Sequence, residues 1–208
     1  RSHRTLRLLA SASARRGFVA FSVDYRLLRE TGCFVDDPAC AETALEVQHD
    51  VQAAVRWVRA NAGRLRVDPA RIAIGGTSVG GTLSLLAATR SEDPGDSGNP
   101  GFSSRVRAFV SIAGGWPGDP GFATAGDPPG LLFHTERDIV TPFSFSADAH
   151  RALRRAGVPS RLVRLPGRAH VATQVFAKRY VAATHRFLYR RLGLGQPWAS
   201  AGSGLAGT

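Results

Sequence analysis

Ile72-Ala73-Ile74-Gly75-Gly76-Thr77-Ser78-Val79-Gly80-Gly81 decides how this chain folds. Residues 71–75, with Ile72, Ala73 and Ile74 in a row, carry a strand signal, and residues 79–89 carry a helix signal that starts where the strand stops. Gly76 to Gly80 therefore fits Gly-x-Ser-x-Gly in the strand–turn–helix setting that gives this pattern its meaning. So sharp a turn strains the serine backbone and tolerates only small neighbours, a demand met by Gly75, Gly76, Gly80 and Gly81. It also sets Ser78 at a helix N-terminus, where the backbone N–H of Val79 can stabilise an oxyanion. The rival reading, a phosphate-binding loop, requires Gly-x-x-x-x-Gly-Lys-Ser/Thr or Gly-x-Gly-x-x-Gly, and this segment holds neither.

On both sides of this turn, strand and helix signals alternate, the pattern of a parallel α/β sheet. Residues 4–16 read as a helix closed by Gly17, and residues 18–23 as a short buried strand. Residues 45–61 carry a helical apolar stripe stopped by Gly63, with Trp57 expected in the core. Beyond the 79–89 helix come a loop at 91–101, a strand at 106–112 and an irregular Gly/Pro/Asp-rich excursion at 113–129. A strand at 131–134, a helix at 146–156, a strand at 160–165 and an amphipathic helix at 172–191 follow. One domain over 1–192 is expected, and a disordered Gly/Ala/Ser-rich tail over 193–208.

A serine nucleophile needs a general base, and the base needs a carboxylate to orient it. The motif's chain order is serine, acid, histidine, with acid and histidine following later strands. Asp138 follows the 131–134 strand in His134-Thr135-Glu136-Arg137-Asp138, and His170 follows the 160–165 strand in Pro166-Gly167-Arg168-Ala169-His170. These are the expected acid and base. Glu136 and Asp148 are the competing carboxylates; the first is two residues off and the second falls within a helix. His134 is expected to pack beside the acid loop, and His3, His49, His150 and His185 to be solvated or structural. An Arg26–Asp50 ion pair is expected to tie the loop after the 18–23 strand to the following helix.

The 208 residues carry a net charge of +11, and every basic residue except Lys178 is arginine. These arginines are scattered over helix faces with no interleaved aromatic strip, which argues against a nucleic-acid partner. No run of ~18 apolar residues occurs, so no membrane insertion is expected. Cys33 and Cys40 bracket a turn-rich loop that can bring their Cβ atoms together; a disulfide there would imply export, and two thiols are too few for a zinc site. The chain holds no methionine, not even at position 1, and is read as a fragment or processed form.

Val23-Asp24-Tyr25-Arg26-Leu27, the run Asp50-Val51-Gln52-Ala53-Ala54-Val55-Arg56-Trp57-Val58, and Asp68 through Gly81 together resemble α/β-hydrolase carboxylesterases and lipases. The feruloyl- and acetyl-esterase-like and hormone-sensitive-lipase-like groups are the most similar. The resemblance covers roughly residues 1–190 and implies the α/β-hydrolase fold, a mostly parallel sheet with helices on both faces. It also implies hydrolysis of a small-molecule ester through an acyl-enzyme, without metal or organic cofactor. His134 to Pro142 resembles the family's His-Gly-x-x-Asp-x-x-Val-Pro acid loop, with Thr135 in place of its glycine and Thr141 in place of its valine. Trp116, Phe143 and Phe145 are the expected pocket residues.

Such esterases place a His-Gly-Gly-Gly-like oxyanion loop, and a mid-sheet strand before it, ahead of the helix that here occupies 4–16. The expectation is a chain lacking both, with a gap between the 18–23 and 71–75 strands, half an oxyanion hole and weak turnover. A peptidase of the prolyl-oligopeptidase type shares the elbow and triad order and is the second reading. An inactive hydrolase fragment or a non-catalytic interaction protein on this scaffold is the third.

Overall fold

Two short runs in which every residue is buried, β2 (Ala108–Ile112) and β3 (Gly130–Thr135), form the centre of a four-stranded parallel sheet. Such strands have a helix layer on each face and no polar side to show. The computed structural model describes residues 4–26, 38–93, 95, 98–116, 118, 121–171 and 178–195. The outer strands are β1 (Ala73–Thr77) and β4 (Ser160–Leu165), giving the order β1-β2-β3-β4. In register, Ala73 pairs with Ala108, Phe109 with Gly130, and Gly130 with Ser160. All four strands therefore start at one end of the sheet and finish together at the other.

The helices are α1 (Arg4–Ala14), α2 (Pro38–Ala60), α3 (Ala62–Leu65), α4 (Val79–Thr89), α5 (Phe143–Arg155) and α6 (Lys178–Leu192). On one face, Leu85 and Ala88 of α4 and Ala149 and Leu153 of α5 pack on Phe109 and Leu132. On the other, Leu9 of α1 and Tyr180, Phe187 and Leu188 of α6 cover Val110, Leu131 and Phe133. Phe109, Leu132 and Phe133 are almost wholly buried, each stabilising the fold by ~1.5–3 kcal/mol. α4 is buried from Gly81 to Thr89, because α2 covers its outer side through Val47 and Val51. This fixes the turn at Ser78 between the sheet and a helix with little freedom to move.

Four expectations change. Residues 18–23 form no ladder, and Val19, Phe21 and Val23 are 53%, 42% and 40% exposed. β-Branched residues favour a strand only where a neighbour completes the pairing, and among the described strands none lies along the outer edge of β1. Trp57 is 40% exposed rather than core; two positions beyond buried Val55, it falls on the opposite side of α2 and meets Phe21 edge-on. α2 starts at Pro38, seven residues earlier than expected, because proline suits a first helical turn; Cys40 therefore lies in a helix instead of a loop. α5 starts at Phe143, three residues early, directly after Pro142.

The expected Cys33–Cys40 bridge rests on Cys33, which lies outside the described residues, as do residues 172–177 of the last expected helix and the tail beyond Gly195. The Arg26–Asp50 pair is present, with Nε 3.0 Å from Oδ2 and the Arg26 backbone N–H donating to the same carboxylate.

Candidate active site

Ser78 lies between β1 and α4 with φ 55° and ψ −127°, a conformation that side chains other than glycine seldom adopt. Three observations show what holds it there. Its N–H donates to the Ile112 carbonyl at 2.8 Å, tying the turn to β2. A Cβ on Gly76 would lie 2.3 Å from the Gly80 carbonyl oxygen, and one on Gly81 would lie 2.9 Å from the Ser111 hydroxyl. Only glycine lets the chain close this tightly. Val79 opens α4, so its N–H is among those that helix geometry leaves without an intrahelical acceptor. The positive end of the helix dipole meets Ser78 at the same point.

His170 follows β4 and places Nε2 2.8 Å from Ser78 Oγ. Its Nδ1 lies 2.8 Å from Asp138 Oδ2, on the turn after β3. A carboxylate only accepts, so Nδ1 carries the proton and Nε2 presents its lone pair to the serine hydroxyl. Asp138 Oδ1 accepts from the Val140 and Thr141 N–H groups at 2.8 and 3.0 Å. The Asp138 side chain is fully buried, and burial alone would raise its pKa. The two backbone donors and His170 outweigh that effect and hold the carboxyl below its ordinary value, ionised beside the imidazole. The two loops are bonded to each other as well, Glu136 N–H to Leu165 O at 2.9 Å and Arg137 N–H to Gly167 O at 3.2 Å.

The role of His134 is larger than its sequence position indicated. It is 1% exposed, and its Nε2 donates to the Thr141 carbonyl at 3.0 Å while standing 3.5 Å from Asp138 Oδ2. Its Nδ1 lies 2.7 Å from the Ser146 hydroxyl, which reaches the Gly114 carbonyl at 2.5 Å. Burial, the strongest influence on it, pushes its pKa below the ordinary histidine value. Ser78, His170, Asp138 and His134 thus form one line, anchored through Ser146 on α5. Ser146 and Thr141 are twelve and seven residues from His134, and no motif joins them in sequence.

The three expected pocket residues stand in different settings. Phe143 stands beside the acid loop, edge-on to the His134 ring at 5.8 Å and under Arg164. Phe145 is buried on α5, and its carbonyl accepts from the Trp116 N–H at 3.2 Å. The Trp116 ring faces Phe122 and lines a small apolar cavity with Leu85, Leu153 and Ala149, between α4 and α5. Sequence reasoning passed over Ile139 and Val140, which are 69% and 64% exposed immediately after Asp138. An exposed apolar pair beside a triad-like cluster suits contact with an apolar ligand group. Tyr25 packs on the cluster of Leu83 and Val79 beside the elbow, and burial raises its pKa.

Residues 2–114 match the family model described as BD-FAE. That segment contains Ser78 and excludes Asp138 and His170, so the arrangement of acid and base stands on the geometry above. Carboxylesterase NlhH of Mycobacterium tuberculosis (strain ATCC 25618 / H37Rv) is 40% identical over 77 residues, 37% of this chain. The matched stretch spans 21% of the length of that curated relative. Among solved structures, the thermophilic esterase Est2 of the Planctomycetes species Thermogutta terrifontis superposes with a TM-score of 0.75 at 22% identity, over 94% of this chain and 78% of that one. A truncated carbohydrate esterase from gut microbiota gives 0.65 at 24% identity, over 71% and 68%. A bifunctional GH43-CE protein of Bacteroides eggerthii gives 0.63 at 26% identity, over 70% of this chain and 27% of that one.

Proposed function

The chain belongs to the BD-FAE family and has the fold of α/β-hydrolase esterases, and from that premise we propose that it is a serine-dependent carboxylic-ester hydrolase. The observation that carries this reading is the hydrogen-bonded line from Ser78 Oγ through His170 to Asp138, with each link at 2.8 Å. In the proposed reaction, His170 Nε2 takes the proton of Ser78 as Oγ attacks the ester carbonyl carbon. The electron pair moves onto the carbonyl oxygen, and the Val79 N–H stabilises that charge. As the tetrahedral intermediate collapses, the ester C–O bond breaks, and His170 returns the proton to the departing alkoxide. Water, deprotonated by His170, then attacks the acyl carbon; the C–Oγ bond breaks, His170 returns the proton to Ser78 Oγ, and the acid is released. Asp138 stays ionised throughout and stabilises the imidazolium formed in each half-reaction.

The substrate in this reading is a small ester, with Ile139, Val140 and Phe143 flanking the acid loop as candidate contacts for its apolar part. Hydrolysis of a short-chain nitrophenyl ester tests the proposal. The chain is expected to release nitrophenol above background, and Ser78→Ala to abolish that release. Equal rates from both proteins would overturn the assignment.

A further inference from the structure

Among the described residues, six arginines are seen to hold a carboxylate: Arg26 on Asp50, Arg71 on Asp68, Arg90 on Asp93, Arg105 on Glu92, Arg151 on Asp148 and Arg164 on Glu136. Arg154, Arg161, Arg186, Arg190 and Arg191 differ. They converge on one cleft of about 400 Å³ that no acidic residue lines among the described residues. None of the five holds a carboxylate among the described residues. Residues 196–208, beyond the described end of the chain, contain no Asp or Glu.

The cleft opens at the starts of β3 and β4, beside Gly130 and Ser160, and between the end of α5 and the C-terminal half of α6. Ser78, Asp138 and His170 follow the other ends of the strands, so the cleft and the triad-like cluster occupy opposite ends of the sheet. Leu131, Pro159 and Phe187 form its apolar walls, and Arg191 lies over the Phe187 ring at 5.9 Å. Arg154, Arg190 and Arg191 have a local reason to be basic, since each sits in the last turn of a helix, where a cation complements the dipole. That reason does not extend to Arg161 in the second position of β4 or to Arg186 in the middle of α6. Like charges converging on a concave surface repel one another, and a bound anion removes that repulsion.

We propose that this cleft is a binding site for a small soluble anion carrying two or more phosphoryl groups. Guanidinium forks pair bidentately with phosphoryl oxygens, and arginines from three separate elements can grip more than one group at once. The volume lies within the ~300–1,000 Å³ usual for small-ligand sites. The proposal does not depend on the reaction assigned to Ser78.

Calorimetric titration with inorganic tripolyphosphate, at an ionic strength held constant with sodium chloride, tests it. The wild-type chain is expected to bind with saturation at one site. The pair Arg161→Glu and Arg186→Glu is expected to weaken binding at least ~10-fold, since charge-assisted hydrogen bonds to both residues are lost. The pair Arg64→Glu and Arg66→Glu changes the net charge equally, away from the cleft, and is expected to bind as wild type. Should the first pair fail to fold by circular dichroism, Arg190→Glu, exposed on α6, serves in its place with a several-fold loss expected. Absence of saturable binding, or equal weakening by the Arg64/Arg66 pair, overturns the site and shows only attraction to a basic surface.

Discussion

Ser78 combines a strained backbone with a hydroxyl aimed at His170, and both depend on neighbours that hold the strain in place. His134 does similar work for Asp138. Replacing it with phenylalanine keeps a ring in the site and removes both nitrogens, so the Thr141 carbonyl and the Ser146 hydroxyl lose a partner. His134→Phe is expected to lower ester turnover by ~10-fold or more, as expected for loss of a buried hydrogen-bond network beside the acid. The same variant has a signature in pH. Because burial depresses the His134 pKa in the folded chain, its neutral form favours folding fully above the unfolded value of ~6.5. As pH falls below ~6.5, the unfolded state takes up a proton that the folded state refuses, and stability declines until the folded pKa is passed. Denaturant unfolding between pH 7 and 5 is therefore expected to show a shallower loss of stability in His134→Phe than in the wild type. Equal slopes would mean that His134 is not held neutral. Asp138 and His170 could be located from sequence because each follows a strand end in the order the motif requires. The link from His134 to Ser146 could not, since it joins β3 to α5 through space.

At the scale of elements, the elbow is the most constrained part of the chain. A methyl group on Gly76 would meet the Gly80 backbone at 2.3 Å, and backbone cannot swing aside as a flexible side chain can. Gly76→Ala is expected to cost ~1–3 kcal/mol of stability, the range for overpacking, and to slow turnover by moving Ser78 off His170. Thermal unfolding and ester hydrolysis measured together check this, and wild-type values for both would refute the steric argument. The elements easiest to read from sequence were those with their partners close by, and α4 begins and ends where its pattern said. Residues 18–23 failed for the opposite reason. Their composition favours a strand, but a strand needs a neighbour at its edge, and an apolar, β-branched run alone does not supply one. The early start of α2 was hidden by Pro38, which reads as a turn residue and also fits a first helical turn.

Across the whole molecule, two ends of one sheet carry different chemistry. The strand C-termini bring Ser78, Asp138 and His170 together from three separate parts of the chain, and the strand N-termini gather arginines. Among the described residues, Val19, Phe21 and Val23 are exposed and no strand pairs with the outer edge of β1, features of the kind that pair with further chain. The alternating strand and helix signals made the parallel sheet legible, whereas the arginine cleft depends on which helix faces end up side by side. The central claim is that Ser78 is a nucleophile activated by His170. Its most direct test is covalent labelling by a fluorophosphonate probe, with the modified residue located by mass spectrometry, for wild type, Ser78→Ala and His170→Ala. Modification is expected at Ser78 alone, none in Ser78→Ala, and labelling slowed by ~10²-fold or more in His170→Ala. Labelling at another residue, or an unchanged rate at Ser78 in His170→Ala, would contradict it.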